Sequence, residues 1–243
     1  MQTINRNKRS IIIGDVHGCL DELKELILAL TLSNNDSIYF IGDLIDRGPD
    51  TIGTIKYIHT LSNKFNVIKI IGNHEEKFLR YLEKKNELNN DIFNEYLSKL
   101  SEQEIAFLKD SYYNYYIPEH DIMLIHGGYL SKIELKKGIN NMYINRKNTN
   151  FSILTMTRYI DPTGRFIEFG KNDDTSIFWA EKYNGQVGKV VFGHNYFKQN
   201  GPYYFEHAIG IDNGCVYGGW LTALIIDAHS NISSLSVQSN QFS

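Results

Sequence analysis

Side chains that bind divalent ions recur in this chain in one kind of setting. Asp15 and His17 lie in Gly14-Asp15-Val16-His17-Gly18. Asp43 lies in Gly42-Asp43-Leu44-Ile45-Asp46-Arg47-Gly48, and Asn73 in Gly72-Asn73-His74-Glu75. His126 precedes Gly127-Gly128, and His194 follows Gly193. Each closes an apolar run. Carboxylate, imidazole and amide oxygen suit hard or borderline cations rather than thiophilic ones. Neighbouring glycines let the backbone turn sharply and come close to an ion or a phosphate. A natural division gives one ion Asp15, His17 and Asp43, and a second ion Asp43, Asn73, His126 and His194, with Asp43 as the bridge. Two ions roughly 3.5–4 Å apart can clamp the attacking and leaving oxygens of a phosphoryl displacement. Taken singly, a strand-end Asp reads as a helix cap and a lone His as a satisfied polar residue. Their joint recurrence at successive strand ends favours the binuclear reading.

The elements that position these residues follow from hydrophobic patterning. Strand-like runs occur at Ser10 to Ile13, Ile38 to Ile41, Val67 to Ile71, Ile122 to Ile125, Lys189 to Phe192 and Leu221 to Asp227. Their continuous, β-branched character predicts strands buried on both faces. Between the first three, Leu20, Leu23, Ile27 and Leu30 mark a first helix. Pro49 fits the first position of a second, and Glu75 begins a third. This βαβαβ order predicts an α/β fold with a partly parallel sheet. Ligands in such sheets bind beyond the carboxyl ends of the strands, where the glycine-flanked blocks fall. Residues 10–228 read as one domain after a tail at 1–9. The irregular stretch 131–184 reads as an insertion beside the active face, with Asp161-Pro162-Thr163-Gly164 as a turn between short strands. The stretch from Lys84 to Glu119 reads as helical and polar, and carries a cluster from Tyr112 to Tyr116. The Ser-, Asn- and Gln-rich segment 229–243 reads as a frayed tail.

Bulk properties exclude several classes. With 243 residues, 42% hydrophobic and 22% charged, the composition is globular. A net charge of −3 argues against binding nucleic acid by bulk charge, so no stable nucleic-acid complex is expected. Two cysteines, Cys19 and Cys215, make no disulfide framework. No apolar run approaches the ~20 residues that span a bilayer, and the first residues lack a signal-peptide core. A reduced, cytosolic protein without a membrane partner is the expectation.

Around the ligand candidates stand groups suited to phosphate chemistry. Arg47 offers a planar fork for two phosphate oxygens, and Asp46 could hold the His74 imidazole. In order, GDVHG, GDLIDRG, GNHE, HGG and GH resemble the calcineurin-like metallophosphoesterases. More closely, they resemble the phosphoprotein-phosphatase branch, which includes serine/threonine protein phosphatases and symmetrical diadenosine-tetraphosphatases. The likeness runs from about Ile11 to Ile226, and Trp179-Ala180-Glu181 with Ile211 to Gly219 is similar to the small bacterial and phage members. The resemblance implies two packed central β-sheets flanked by helices and two divalent ions at the strand ends. Manganese is the first expectation, with iron, zinc, nickel or cobalt as alternatives. It also implies a metal-bridging hydroxide as nucleophile, His74 as general acid, and a second phosphate-binding arginine. Arg158 fits that last role best by its order between the two histidines, with Arg146 and Arg165 as rivals.

Three functions remain open at this level. The first expectation is a serine/threonine phosphoprotein phosphatase. The alternative is a hydrolase of dinucleoside polyphosphates, for which the tyrosine cluster, Phe166 or Phe169 could stack bases, although hydrophobic packing is the simpler reading of those rings. A non-catalytic metal-binding scaffold is the third, and the His74–Asp46 pair argues against it. Asp212 reads either as support for the metal ligands or as part of a turn.

Overall fold

Unbroken apolar runs become strands covered on both sides, because alternate side chains leave opposite faces of a strand. The computed structural model describes residues 8–84, 89–145 and 149–241. β1 (Ser10–Ile13) leads into α1 (Leu20–Ala29), β2 (Ser37–Phe40) into α2 (Thr51–Ser62), and β3 (Asn66–Lys69) into α3 (Asn73–Glu83). These strands pair in parallel, so the βαβαβ unit is present. Two further helices, α4 (Asp91–Lys99) and α5 (Glu102–Lys109), precede the antiparallel pair β4 (Tyr112–Ile117) and β5 (Ile122–Ile125). The irregular region carries β6 (Asn141–Met142), β7 (Tyr159–Ile160), β8 (Phe166–Ile167), β9 (Ile177–Phe178) and α6 (Trp179–Lys182). The chain closes with β10 (Lys189–Phe192), β11 (Tyr203–Tyr204), β12 (Ala208–Gly210), β13 (Asp212–Asn213), β14 (Trp220–Ile226) and β15 (Ile232–Gln238).

Two six-stranded sheets form the centre. The first runs β13-β14-β1-β2-β3, with β15 on the other side of β14; the second runs β11-β12-β10-β5-β4-β6. Ile12, Tyr39 and Leu224 of the first sheet and Leu124, Val191 and Ile209 of the second form one buried cluster, the core between the sheets. The alternate residues face outward. Ile11, Ile13 and Phe40 meet Leu23, Leu26 and Ile55 of α1 and α2, while Met123, Val190 and Phe192 meet Leu154 and Trp179. This is the α/β sandwich of two packed sheets flanked by helices. Among the described residues, no helix is long and apolar enough to cross a membrane.

Some local expectations give way. Pro49 stands before α2 rather than inside it, because Asp50 is the cap: its Oδ1 accepts the Gly53 N–H at 2.7 Å. The third helix begins at Asn73, not Glu75. The tyrosine cluster is not a continuation of α4 and α5 but the strand β4, whose aromatic residues favour a pleated, half-buried surface. Asp161-Pro162-Thr163-Gly164 does turn between β7 and β8, which with β9 make a small separate sheet. The largest correction is at the C-terminus. Ile232–Gln238 is not frayed; it pairs with β14 along its whole length, since an open strand edge recruits backbone irrespective of side-chain polarity.

Candidate metal centre

Every predicted ligand lies just beyond the end of a strand: Asp15 and His17 after β1, Asp43 after β2, Asn73 at the start of α3 after β3, His126 after β5 and His194 after β10. Asp43 sits between His17 and His126. Its Oδ2 is 3.4 Å from His17 Nε2, and its Oδ1 is 3.3 Å from His126 Nε2. Both rings are oriented from behind: His17 Nδ1 donates to the Ile45 carbonyl at 2.9 Å, and His126 Nδ1 to the Ile41 carbonyl at 2.8 Å. Such backing turns Nε2 toward an ion. Asn73 Oδ1 lies 3.3 Å from His126 Nε2, and the His194 ring stands 5.1 Å from that of His126. Two groups of possible ligand atoms result, His17–Asp43–His74 and Asp43–His126–His194, with Asp43 common to both. Asp15 belongs to neither group. Its Oδ2 accepts the His194 N–H at 2.9 Å, while its buried Oδ1 has no hydrogen-bond partner among the described residues.

Burial and charge set the electrostatics. Burial, then the Asp212 carboxylate, pushes Asp15 well above the usual carboxylate range. Burial acts the same way on Asp43, but His126 and His17 outweigh it and hold Asp43 well below that range. Burial lowers His17 to about 4, against the pull of Asp43. For His126 burial is overcome by Asp43 and Asp15, which lift the ring to about 9. The loops that carry these groups are bent sharply. His17, Asp43, Asp46, Arg47 and His194 all have left-handed backbone, with φ of 46, 49, 67, 70 and 63°. Gly42 is indispensable at φ 103°, where a Cβ would press on His126 Nδ1 at 2.7 Å.

The remaining predicted residues surround this core. His74 Nδ1 is 2.7 Å from Asp46 Oδ2, and the His74 ring meets the His17 ring edge-on at 4.9 Å. Arg47 Nη1 is 2.8 Å from His17 Nε2, so a guanidinium stands at the lone pair a metal would use. Arg158 donates from Nη1 to Asn195 Oδ1 at 3.3 Å and feels the carboxylates of Asp212, Asp15 and Asp43. Arg165 is exposed on the β7–β8 turn, and Arg146 lies outside the described residues. Asp212 is buried, accepts the Gly214 N–H at 2.9 Å, and is pushed up to about 6 by burial; it lies in β13, paired with Leu221 of β14, and its charge acts on Asp15 and Arg158. Sequence reasoning missed three contributors. Glu75 accepts the N–H groups of Gly72, Asp43, Leu44 and Ile45 at 2.8–3.1 Å, tying two of the glycine-flanked blocks together. Tyr96 donates to Asp46 Oδ1 at 2.8 Å. Asn195 holds Arg158 and donates to the Gly127 carbonyl at 3.2 Å. Of these, only Glu75 had a local signal, three residues beyond a glycine cap.

The family model of calcineurin-like phosphoesterases matches residues 8–210. The chain belongs to this family. A calcineurin-like phosphoesterase similar to it is the asymmetrical bis(5'-nucleosyl)-tetraphosphatase PrpE of Oceanobacillus iheyensis, 35% identical over 87% of this chain and 86% of that one. PrpE of Bacillus subtilis is 32% identical over 95% and 97%. A crystal structure assigned provisionally as a diadenosine tetraphosphatase superposes with a TM-score of 0.71 at 27% identity, covering 96% of this chain and 95% of the other. A serine/threonine phosphatase of Saccharomyces cerevisiae superposes at 0.65 with 14% identity over 98% and 82%, a likeness of fold.

This calcineurin-like phosphoesterase is a metal-dependent hydrolase, and its residues fit divalent ions. The donor set is carboxylate, imidazole and amide, as such ions require. Asp15 Oδ1 is an orphaned buried acceptor, a costly state without a cation or donor. A Cβ at Gly193 would fall on that same oxygen, so the space beside it is kept by glycine. Asp15, His17, Asp43, Asn73, His126 and His194 are the residues that would hold the ions. When bound, such ions activate water and neutralise phosphate charge.

Proposed function

We propose that this chain hydrolyses dinucleoside polyphosphates, cutting a phosphoanhydride asymmetrically within a tetraphosphate. The observation that carries this reading is similarity to nucleosyl-tetraphosphatases over nearly the whole chain, at 35% identity over 87% of it. The serine/threonine phosphatase reading expected from the motifs rests on a 14% identical structure, which speaks for the fold alone. Arg47 and Arg158 bind phosphate oxygens, Arg158 in the orientation Asn195 imposes. Asn73 at the start of α3 serves both ligation and phosphate contact. His74, held through Nδ1 by Asp46, gives the Nε2 proton to the departing oxygen. Manganese is the proposed ion, in keeping with the oxygen and nitrogen donors.

The test offers diadenosine tetraphosphate, a phosphoserine peptide and para-nitrophenyl phosphate to the manganese-loaded protein. Preferential cleavage of the dinucleotide into unequal nucleotides is expected. Preference for the peptide would replace this reading with the phosphatase one, and no turnover with metal bound would leave a scaffold.

A further inference from the structure

Beside the centre lies a cleft of about 470 Å3, within the range of single small-ligand sites, roughly 300–1,000 Å3. Arg158 and Asn195 line it, and Asn195 directly follows the candidate ligand His194. The cleft is therefore continuous with the place where phosphate chemistry occurs. The rest of its wall is aromatic, from separate elements: Phe178 of β9, Tyr196 after β10 and Tyr203 of β11. These rings are held in place. Phe178 stacks on Phe205 at 5.5 Å, Tyr203 stacks on Phe197 at 4.6 Å, and the Tyr196 ring covers Gly214.

Yet they keep accessible surface. Tyr196 is 39% exposed and Tyr203 41%. Phe169 is 89% exposed and lies 5.8 Å from the Arg158 guanidinium, whereas Phe166 packs into the core. Grouped exposed rings beside an arginine mark a contact surface rather than packing. Glu181 adds a carboxylate to the lining. It repels a polyphosphate and accepts hydroxyl groups, so the lining is polarised, with phosphate favoured at Arg158 and an uncharged hydroxylated group at Glu181. We infer that this cleft is the nucleoside subsite: it stacks the base and receives the ribose of the nucleotide whose phosphate Arg158 holds. This inference rests on the dinucleoside-polyphosphate reading and adds the residues that select a nucleotide over a bare phosphoester.

Calorimetric titration of the manganese-loaded protein with AMP and with ribose 5-phosphate tests it, since the two differ only by the base. AMP is expected to bind at least tenfold more tightly, in line with the stacking contribution of one base. Tyr196→Ala should remove most of that advantage and Tyr196→Phe should keep it. If Tyr196→Ala does not fold, Phe169→Ala, at an exposed ring, should still reduce the AMP advantage and lower the kcat/KM ratio of diadenosine tetraphosphate to para-nitrophenyl phosphate. Equal affinity for AMP and ribose 5-phosphate, with diadenosine tetraphosphate still cleaved asymmetrically, would overturn the subsite and leave the proposed function standing. Failure to cleave the dinucleotide while para-nitrophenyl phosphate is turned over would overturn both.

Discussion

At the scale of single residues, the centre combines groups that the sequence displays with groups it hides. Asp46, Arg47 and His74 were legible because each sits beside a ligand candidate within a glycine-flanked block. Tyr96 and Asn195 were not, because their contacts join residues 50 and 37 positions apart in the chain. His74→Asn is expected to lower kcat on a phosphomonoester with a poor leaving group by about 10²–10⁴, the usual worth of a positioned acid. Elemental analysis should find its metal content retained. A wild-type rate in that variant would remove His74 from the chemistry. Arg47 has a second kind of consequence. Its φ of 70° is a conformation that costs a non-glycine residue roughly 1–3 kcal/mol. Arg47→Gly should therefore raise KM for phosphate substrates while leaving the melting temperature unchanged or higher; a clear drop in that temperature would show that the arginine's contacts outweigh the strain.

Among the elements, the strands were legible where both faces are apolar and obscure where pairing alone makes the strand. β15 is the clearest case of the second kind, since most of its side chains are exposed and its partner is the backbone of β14. Residues just beyond it also matter: the Asn240 N–H and Gln241 Nε2 bond the buried Glu22 of α1, each at 3.1 Å. Truncation after Asp227 should lower the melting temperature and promote aggregation through the uncovered β14 edge, as light scattering would record. β3 carries a different burden. Lys69 is buried over the Phe107 ring at 3.7 Å, and burial lowers it to about 8. Its folded value is thus below its unfolded one, near 10.4. The charged form opposes folding below pH 8, and stability gains as pH rises from 8 toward 10. Lys69→Met should flatten that rise and add up to about 3 kcal/mol at pH 7, reduced by the lost contact between ammonium and ring. Denaturant melts at pH 7 and pH 10 measure both effects, and an unchanged pH slope would contradict the assignment.

For the molecule as a whole, the two sheets meet at the centre, with Asp15, His17, Asp43 and Asn73 contributed by one and His126 and His194 by the other. Ions held there would fasten the sheets together. Chelation should therefore lower the melting temperature, by an amount set by the mass-action relation, about 3–4 kcal/mol for free ion at 100–1,000 times Kd. Asp43→Asn should abolish the difference between chelated and manganese-loaded protein. A variant that keeps the full difference, with full metal content, would exclude Asp43 as the bridge. The same arrangement bears on how the protein is made. β1 leaves a ribosome before every other described strand, but the edge it offers to β14 is covered only once Ile226 has been added. At ordinary elongation speeds that interval lasts roughly 10–40 s. Throughout it, a nascent chain carries the run Ile11-Ile12-Ile13 with one edge unpaired, so the demand this fold places on chaperones falls during synthesis.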